Sequence, residues 1–305
     1  MIHYSFDFTS VTEKIVTDWS EKAKINLYVK RDDLVHPSII GNKWRKLKYN
    51  LQEAKRLSCK TLLTFGGAFS NHVHATAAAA KEYGFESIAI IRGEELNSES
   101  NPTLRFAKAH GMALRFVSRA DFRLFKDNPE LLKMDLSGVY LLPEGGTNDL
   151  AIKGCAEIPT EIQVDFDYLI TSIGTGGTMA GLIKGAKGKG EIIGVSALKG
   201  DFMIKNAENL LSENLIHETN YRVLTAYHFG GYGRANSEII QFINDTKNLE
   251  GLKLDPIYTG KTFFAVRDMA RKNYFPIGSN VVFLHTGGLQ GVDGFNQKHN
   301  NKIEF

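Results

Sequence analysis

Cysteine is scarce: the 305-residue chain has two, Cys59 and Cys155, which form neither a C-x-x-C pair nor a regular framework. That excludes a disulfide-dense scaffold and makes a reducing, cytoplasmic home the expectation, although a single disulfide stays open. An excess of one charge is lacking too. Thirty-seven Lys and Arg face 34 Asp and Glu, a formal +3 spread along the chain, which nominates no nucleic-acid partner. No apolar run approaches the roughly 18 residues of a membrane span, so no membrane partner is expected. The start, Met1-Ile2-His3-Tyr4-Ser5-Phe6-Asp7, has no basic region followed by a long apolar one, and the protein is expected to be soluble and untargeted. Repeats and low-complexity segments are absent. With 43% hydrophobic and 23% charged residues the composition is that of a globular protein, and the length predicts one large or two interlocked domains.

What is present is a recurring unit, a short β-branched run followed by a helical pattern. Residues 61–65 precede a helix over 71–83, residues 87–91 a helix over 102–109, and residues 114–117 a polar segment. Residues 139–142 precede a helix from about 150 to 162, residues 168–171 precede a helix over 178–186, and a last strand covers 281–283. Apolar runs of about four to six residues predict strands buried on both faces, as in parallel α/β sheets with right-handed helical crossovers. The predicted fold class is doubly wound α/β. Residues 93–101 and 126–129 read as loops, and Tyr4, Phe6 and Phe8 as an apolar edge strand. In open α/β sheets ligands bind beyond the carboxyl ends of strands, so chemistry is sought where a strand meets a glycine-rich turn.

Three such turns stand out. In the first, Gly174-Thr175-Gly176-Gly177-Thr178 precedes a helix, so amides, two hydroxyls and the positive helix end suit a phosphate. It is neither a GxxxxGK[ST] loop nor a clean GxGxxG, which disfavours a nucleoside triphosphate, and a tight turn that binds nothing remains the alternative. In the second, Gly66-Gly67-Ala68-Phe69-Ser70-Asn71-His72 enters an alanine-rich helix; Ser70 suits the N-cap and Gly84 a left-handed C-cap. Free amides there would hold a carboxylate, although capping alone would explain Ser70, and Asn71 and His72 read equally as solvated first-turn residues. The third, His285-Thr286-Gly287-Gly288, would form a second wall of a pocket. Lysine is the remaining element. Of the four basic residues in Ile40-Gly41-Asn42-Lys43-Trp44-Arg45-Lys46-Leu47-Lys48, three read as a solvated helix face, whereas Lys43 follows Gly41-Asn42 at a loop-to-helix junction that aims it into a cleft. A lysine in a partly dry pocket has a lowered pKa and can form a Schiff base.

These residues resemble a known family, the fold type II pyridoxal-phosphate enzymes, in the branch of D-cysteine desulfhydrase and 1-aminocyclopropane-1-carboxylate deaminase. The resemblance runs through Lys30-Arg31-Asp32-Asp33, Gly41 to Leu47, Gly66-Gly67 with Ser70-Asn71-His72, Pro143-Glu144-Gly145-Gly146-Thr147-Asn148, Gly174 to Thr178, and Leu254-Asp255-Pro256-Ile257-Tyr258-Thr259-Gly260-Lys261. It implies two open, twisted, mostly parallel sheets with flanking helices, as in the tryptophan synthase β fold. It also implies pyridoxal 5'-phosphate in the cleft between a large domain of residues 1–44 and 147–305 and a small domain of residues 45–146. Lys43 would be the Schiff-base lysine, and Gly174, Thr175, Gly176, Gly177 and Thr178 would hold the phosphate. Asn71 would bond the ring hydroxyl, Ser70 would face the substrate carboxylate with the amides through His72, and Tyr258 and Tyr232 would flank the ring and substrate. A homodimer is implied as well.

Thr259 stands where the ring-opening deaminases carry glutamate, as it does in the desulfhydrases. A hydroxyl donating to a neutral ring nitrogen makes a weaker electron sink than a protonated ring, which suits β-elimination better than opening a cyclopropane. The resemblance therefore implies β-elimination on a small amino acid, D-cysteine or a related β-substituted one, giving pyruvate, ammonia and the leaving group. Lys43 would be the base, and Tyr232 or Tyr258 the donor to the leaving group. Ring-opening deamination, serine-type dehydration and racemisation are the alternatives on the same cofactor. A cofactor-binding sensor or carrier, and a sugar-phosphate-binding protein that uses the Gly174 turn alone, are those outside it. Phe69 and His74 depart from the glutamine and arginine usual in the family and leave substrate choice open; Phe69 would shrink or dry the pocket.

Overall fold

The apolar runs become strands covered on both faces. In the computed structural model, which describes residues 6–300 and 302–304, ten strands follow in chain order: β1 (Thr12–Ile15), β2 (Asn26–Lys30), β3 (Thr61–Gly67), β4 (Glu86–Arg92), β5 (Ala113–Val117), β6 (Val139–Leu142), β7 (Tyr168–Ile173), β8 (Glu191–Ser196), β9 (Tyr221–Leu224) and β10 (Asn280–Leu284). They form a six-stranded sheet ordered β1-β2-β10-β7-β8-β9 and a four-stranded sheet ordered β5-β4-β3-β6. Neighbours are parallel except β1 and β2, which run antiparallel. The larger sheet shows why its strands read as continuous apolar runs. Ile170, Ile193, Val281 and Phe283 pack into one core layer, while Leu169, Ile192, Val282 and Leu284 pack into the layer on the opposite face. The mostly parallel α/β class and its division into two sheets are both those expected.

Parallel pairing also sets where the turns meet. Because β7 and β10 are parallel neighbours, their carboxyl ends open at the same edge of the sheet, which brings the turn after Ile173 beside the turn after Leu284. The turn after β3 leads to Ser70, whose Oγ accepts from the Val73 amide at 3.2 Å, and Gly84 closes the helix Asn71–Tyr83 at φ 74°, ψ 36°. Both caps are those expected.

Four local readings change. The polar segment after β5 is a helix, Arg119–Asp127, capped by Ser118 accepting from the Asp121 amide at 3.1 Å, with Phe122 turned into the core; Lys126 and Asp127 belong to it and not to a loop. The single helix expected from 150 to 162 is two, Asp149–Cys155 and Ile158–Glu161, because Pro159 lacks an N–H and its ring would clash with the carbonyl four residues back. Phe6 and Phe8 are not strand: they pack on Trp44 with ring centroids 6.2 and 5.2 Å away, and the edge strand is β1. Tyr4 lies outside the described residues. The basic run 43–48 is no solvated face. Arg45 is fully buried and donates to Asp32 at 3.1 and 2.9 Å and to Glu161 at 2.7 Å, and Glu161 also accepts from Lys30 at 2.8 Å. Burial opposes the Arg45 charge, but the two carboxylates outweigh it and hold its pKa above the usual value. Among the described residues no helix is long and apolar enough to cross a membrane.

Candidate active site

The helix Asn42–Arg56 starts on Gly41, whose φ is 70° and where a Cβ would fall 2.0 Å from the Thr286 carbonyl oxygen, so only glycine allows the approach. This contact presses the helix start against the turn after β10, and the Asn42 amide donates to the Thr286 carbonyl at 3.2 Å. Lys43 thereby points into a cavity walled by all three glycine turns. Its Nζ donates to Asn42 Oδ1 at 2.8 Å, and Asn42 Nδ2 donates to Thr178 Oγ1 at 2.8 Å. Desolvation first, and then the nearby Lys46 charge, lower the Lys43 pKa to about 7.

Lys46 is the residue that sequence reasoning missed. One helical turn beyond Lys43, it reaches the same cavity and donates to the Gly145 carbonyl at 3.0 Å, Thr147 Oγ1 at 2.9 Å and Thr175 Oγ1 at 3.2 Å. Burial lowers its pKa to about 8. The signal was the i,i+3 spacing, which puts both amines on one helix face. Opposite lies the Gly174 turn: Thr175 Oγ1 shares a 2.6 Å hydrogen bond with Thr147 Oγ1, Gly176 sits at φ 88°, and the helix Gly177–Ala186 begins there. Gly174, Thr175, Gly176 and Thr178 line the cavity, whereas the absent side chain of Gly177 faces Thr147.

Ser70, Asn71 and His72 form another wall. His72 is buried, neither of its ring nitrogens has a partner, and a Cβ on Gly146 would fall 2.6 Å from its Cε1. Burial, then the Lys43 and Lys46 charges, hold its pKa well below the usual range, so the ring is neutral. Tyr232 and Tyr258 meet edge to face, with centroids 6.0 Å apart at 65°, and burial raises the pKa of both, which keeps them protonated donors.

Thr259 is placed differently from the rest. It is fully buried and off the cavity wall; its hydroxyl donates to Asp255 Oδ2 at 2.6 Å and accepts from the Asp255 amide at 2.8 Å. Asp255 also accepts from the amides of Ile257, Tyr258 and Thr259, at 2.8, 2.8 and 2.9 Å. It stands just behind the wall, since a Cβ on Gly288 would fall 3.0 Å from its Oδ2. No part had been assigned to Asp255. Phe69 turns from this cavity toward Gly294 and lines a neighbouring cleft, and His74 stacks on Phe106 at 3.6 Å, with a pKa lowered to about 4 by burial and then by His110.

The donor set suits a phosphorylated aldehyde. Two adjacent buried amines, two threonine hydroxyls and a helix start fit the phosphate and carbonyl, and the orphaned nitrogens of His72 leave buried polar atoms for a ligand to satisfy. Comparison with known proteins points the same way. A family described as pyridoxal-phosphate dependent enzyme matches residues 16–287. The chain is 34% identical over 295 residues to a putative 1-aminocyclopropane-1-carboxylate deaminase of Pyrococcus horikoshii, covering 92% of this chain and 89% of that protein. It is 29% identical to a bifunctional D-cysteine desulfhydrase/1-aminocyclopropane-1-carboxylate deaminase, mitochondrial, of Arabidopsis thaliana, covering 87% of this chain and 73% of that one. A crystal structure of an ACC deaminase homologue superimposes with a TM-score of 0.85 and 30% identity over 98% of this chain and 95% of that one.

Proposed function

The chain belongs to the pyridoxal-phosphate-dependent enzymes, and from that premise we propose that it catalyses β-elimination on a small amino acid, D-cysteine or a related β-substituted one, yielding pyruvate, ammonia and the leaving group. The observation that carries the reading is the Lys43 amine, brought to a pKa of about 7 in a cavity lined by both the Gly174 turn and the turn of Ser70, Asn71 and His72. When bound, pyridoxal phosphate supplies the carbonyl that condenses with amines and the ring that takes up the electrons of the broken Cα–H bond. Lys43, about half neutral near pH 7, is suited to hold the cofactor and to take the proton at the α-carbon. Lys46 and the hydroxyls of Thr175 and Thr178 neutralise and orient the phosphate, with Gly174, Gly176 and Gly177 shaping the turn. Asn71 faces the ring hydroxyl, and Ser70 with the amides through His72 orients the substrate carboxylate. Tyr258 or Tyr232 delivers the proton to the leaving group.

Thr259 enters this reading with a changed part. Its hydroxyl hydrogen is committed to Asp255, so toward a ring nitrogen it offers an acceptor and not a donor. The argument for elimination then rests on the lack of a carboxylate at position 259. Ring-opening deamination stays the second reading, favoured by the names of the relatives. Product analysis separates them: D-cysteine should give pyruvate and sulfide, whereas formation of 2-oxobutanoate from the cyclopropane acid alone would move the assignment to ring opening. Lys43→Ala should lose the visible absorbance of the lysine-bound cofactor and all turnover; both surviving would refute the lysine's part. We propose further that residues 45–146 form a small domain against 1–44 with 147–305, that the protein is a homodimer, which sedimentation tests, and that it is cytoplasmic, as the free thiols Cys59 and Cys155 suit.

A further inference from the structure

We propose that the β-substituent of the substrate is itself an anion, a phosphate or sulfonate, received by a basic cleft beside the active site. The inference rests on the elimination reading and adds the substrate class. The cleft, of about 870 Å³, shares Tyr232 with the active-site cavity, so a group leaving the β-carbon past that hydroxyl enters it directly. Five cations line it: Arg92, Arg119, Arg123, Arg234 and Lys298. No Asp or Glu is among its lining residues, and none of the five makes an ion pair among the described residues.

Some cations elsewhere have a carboxylate beside them, as Arg31 has Asp33 and Lys48 has Glu157. Five that converge from four segments without a counter-charge repel one another, and an anion among them relieves that repulsion. Apolar side chains of Phe69, Ile257 and Phe295 form part of the wall, and the five cations themselves are exposed to solvent. Arg92 joins the two sites. It ends β4, its Nη2 lies 3.4 Å from where a Cβ on Gly67 would be, at the turn that carries Ser70, and its guanidinium is held over the Phe122 ring at 5.5 Å. A bare thiol as leaving group uses neither the volume nor the charge.

The overall change balances with one water: X–CH2–CH(NH3+)–COO− and H2O give CH3–CO–COO−, NH4+ and HX. The Cα–H electron pair becomes the Cα–Cβ double bond, X departs with the Cβ–X pair and takes a proton from the tyrosine pair, and hydrolysis of the resulting enamine releases ammonium.

The test compares both enantiomers of O-phosphoserine with β-chloroalanine, whose carbon skeleton is the same but whose leaving group is small and uncharged when bound, using holoenzyme and following pyruvate. The expected result is a kcat/KM at least roughly tenfold higher for the phosphate ester, a preference that shrinks at high salt. Arg119→Ala/Arg123→Ala should raise its KM about tenfold while turnover of β-chloroalanine stays within about twofold. Turnover of β-chloroalanine without that preference, or a preference untouched by the double substitution, overturns this proposal and leaves elimination standing. Inhibition by the phosphate ester or by inorganic phosphate with no phosphate released from the ester makes the cleft an anion site unrelated to the leaving group, and also overturns it. Failure of both amino acids to react overturns the elimination reading and this proposal together.

Discussion

A lysine amine bonds to an aldehyde only when neutral, and burial gives Lys43 that form near neutrality, with the Lys46 charge adding to the effect. Capture of pyridoxal phosphate by the apoprotein, read from its visible absorbance, should therefore have a midpoint near pH 7. Lys46→Gln removes one of the two causes, so the midpoint should move to higher pH; no movement would show that burial acts alone. The same shifts link to stability. Both amines have folded-state pKa values, about 7 and about 8, below the ordinary 10.5, so the unfolded chain binds more protons across that interval. Their contribution to stability is complete above about 10.5 and is lost as the pH falls through 8 and then 7. The urea midpoint of the apoprotein should accordingly rise from pH 7 to 9, less steeply in the Lys46→Gln variant. Lys43 was legible because a glycine and a helix start precede it. Lys46 was not, because whether a basic residue on that helix meets water or the Gly174 turn depends on what packs against the helix.

Elements were legible where their punctuation is local. Ser70 and Gly84 bracket the helix Asn71–Tyr83 because one oxygen to cap the first turn and one left-handed residue to end the last are requirements written within a few positions. The helix Arg119–Asp127 was missed since charged residues surround its few apolar positions, yet Ser118 caps it in the same way and Phe122 anchors it. Ser118→Ala should lower stability by about 1 kcal/mol in urea unfolding and speed amide exchange over 119–127, leaving the active site unaltered. A loss well under 0.5 kcal/mol would mean that tertiary packing, not the cap, holds that helix.

At the scale of the molecule, four charges from three segments, all buried but for the partly exposed Glu161, join the start of the chain to its middle: Lys30 at the end of β2, Asp32 just after it, Arg45 on the helix Asn42–Arg56, and Glu161 after Pro159. Two cations and two carboxylates sum to zero, so removal of one carboxylate leaves a net buried charge. Asp32→Ala should destabilise the protein by about 3–5 kcal/mol in guanidinium unfolding, the usual result of breaking a buried pair by halves. A loss below about 1 kcal/mol would mean that water reaches the network.

The sequence by itself determined the class of fold, the three glycine turns and the lysine that faces them, since strand, glycine and helix cap are neighbours in the chain and their geometry follows from local sterics. Tertiary structure alone decided that the hydroxyl of Thr259 bonds to Asp255, that Arg45 is sealed among carboxylates, and that cations from positions 92, 119, 123, 234 and 298 surround one cleft. Those outcomes depend on which distant residue occupies the space beside each polar atom, and hydrophobic periodicity, which reports burial along one element at a time, carries no record of that neighbour.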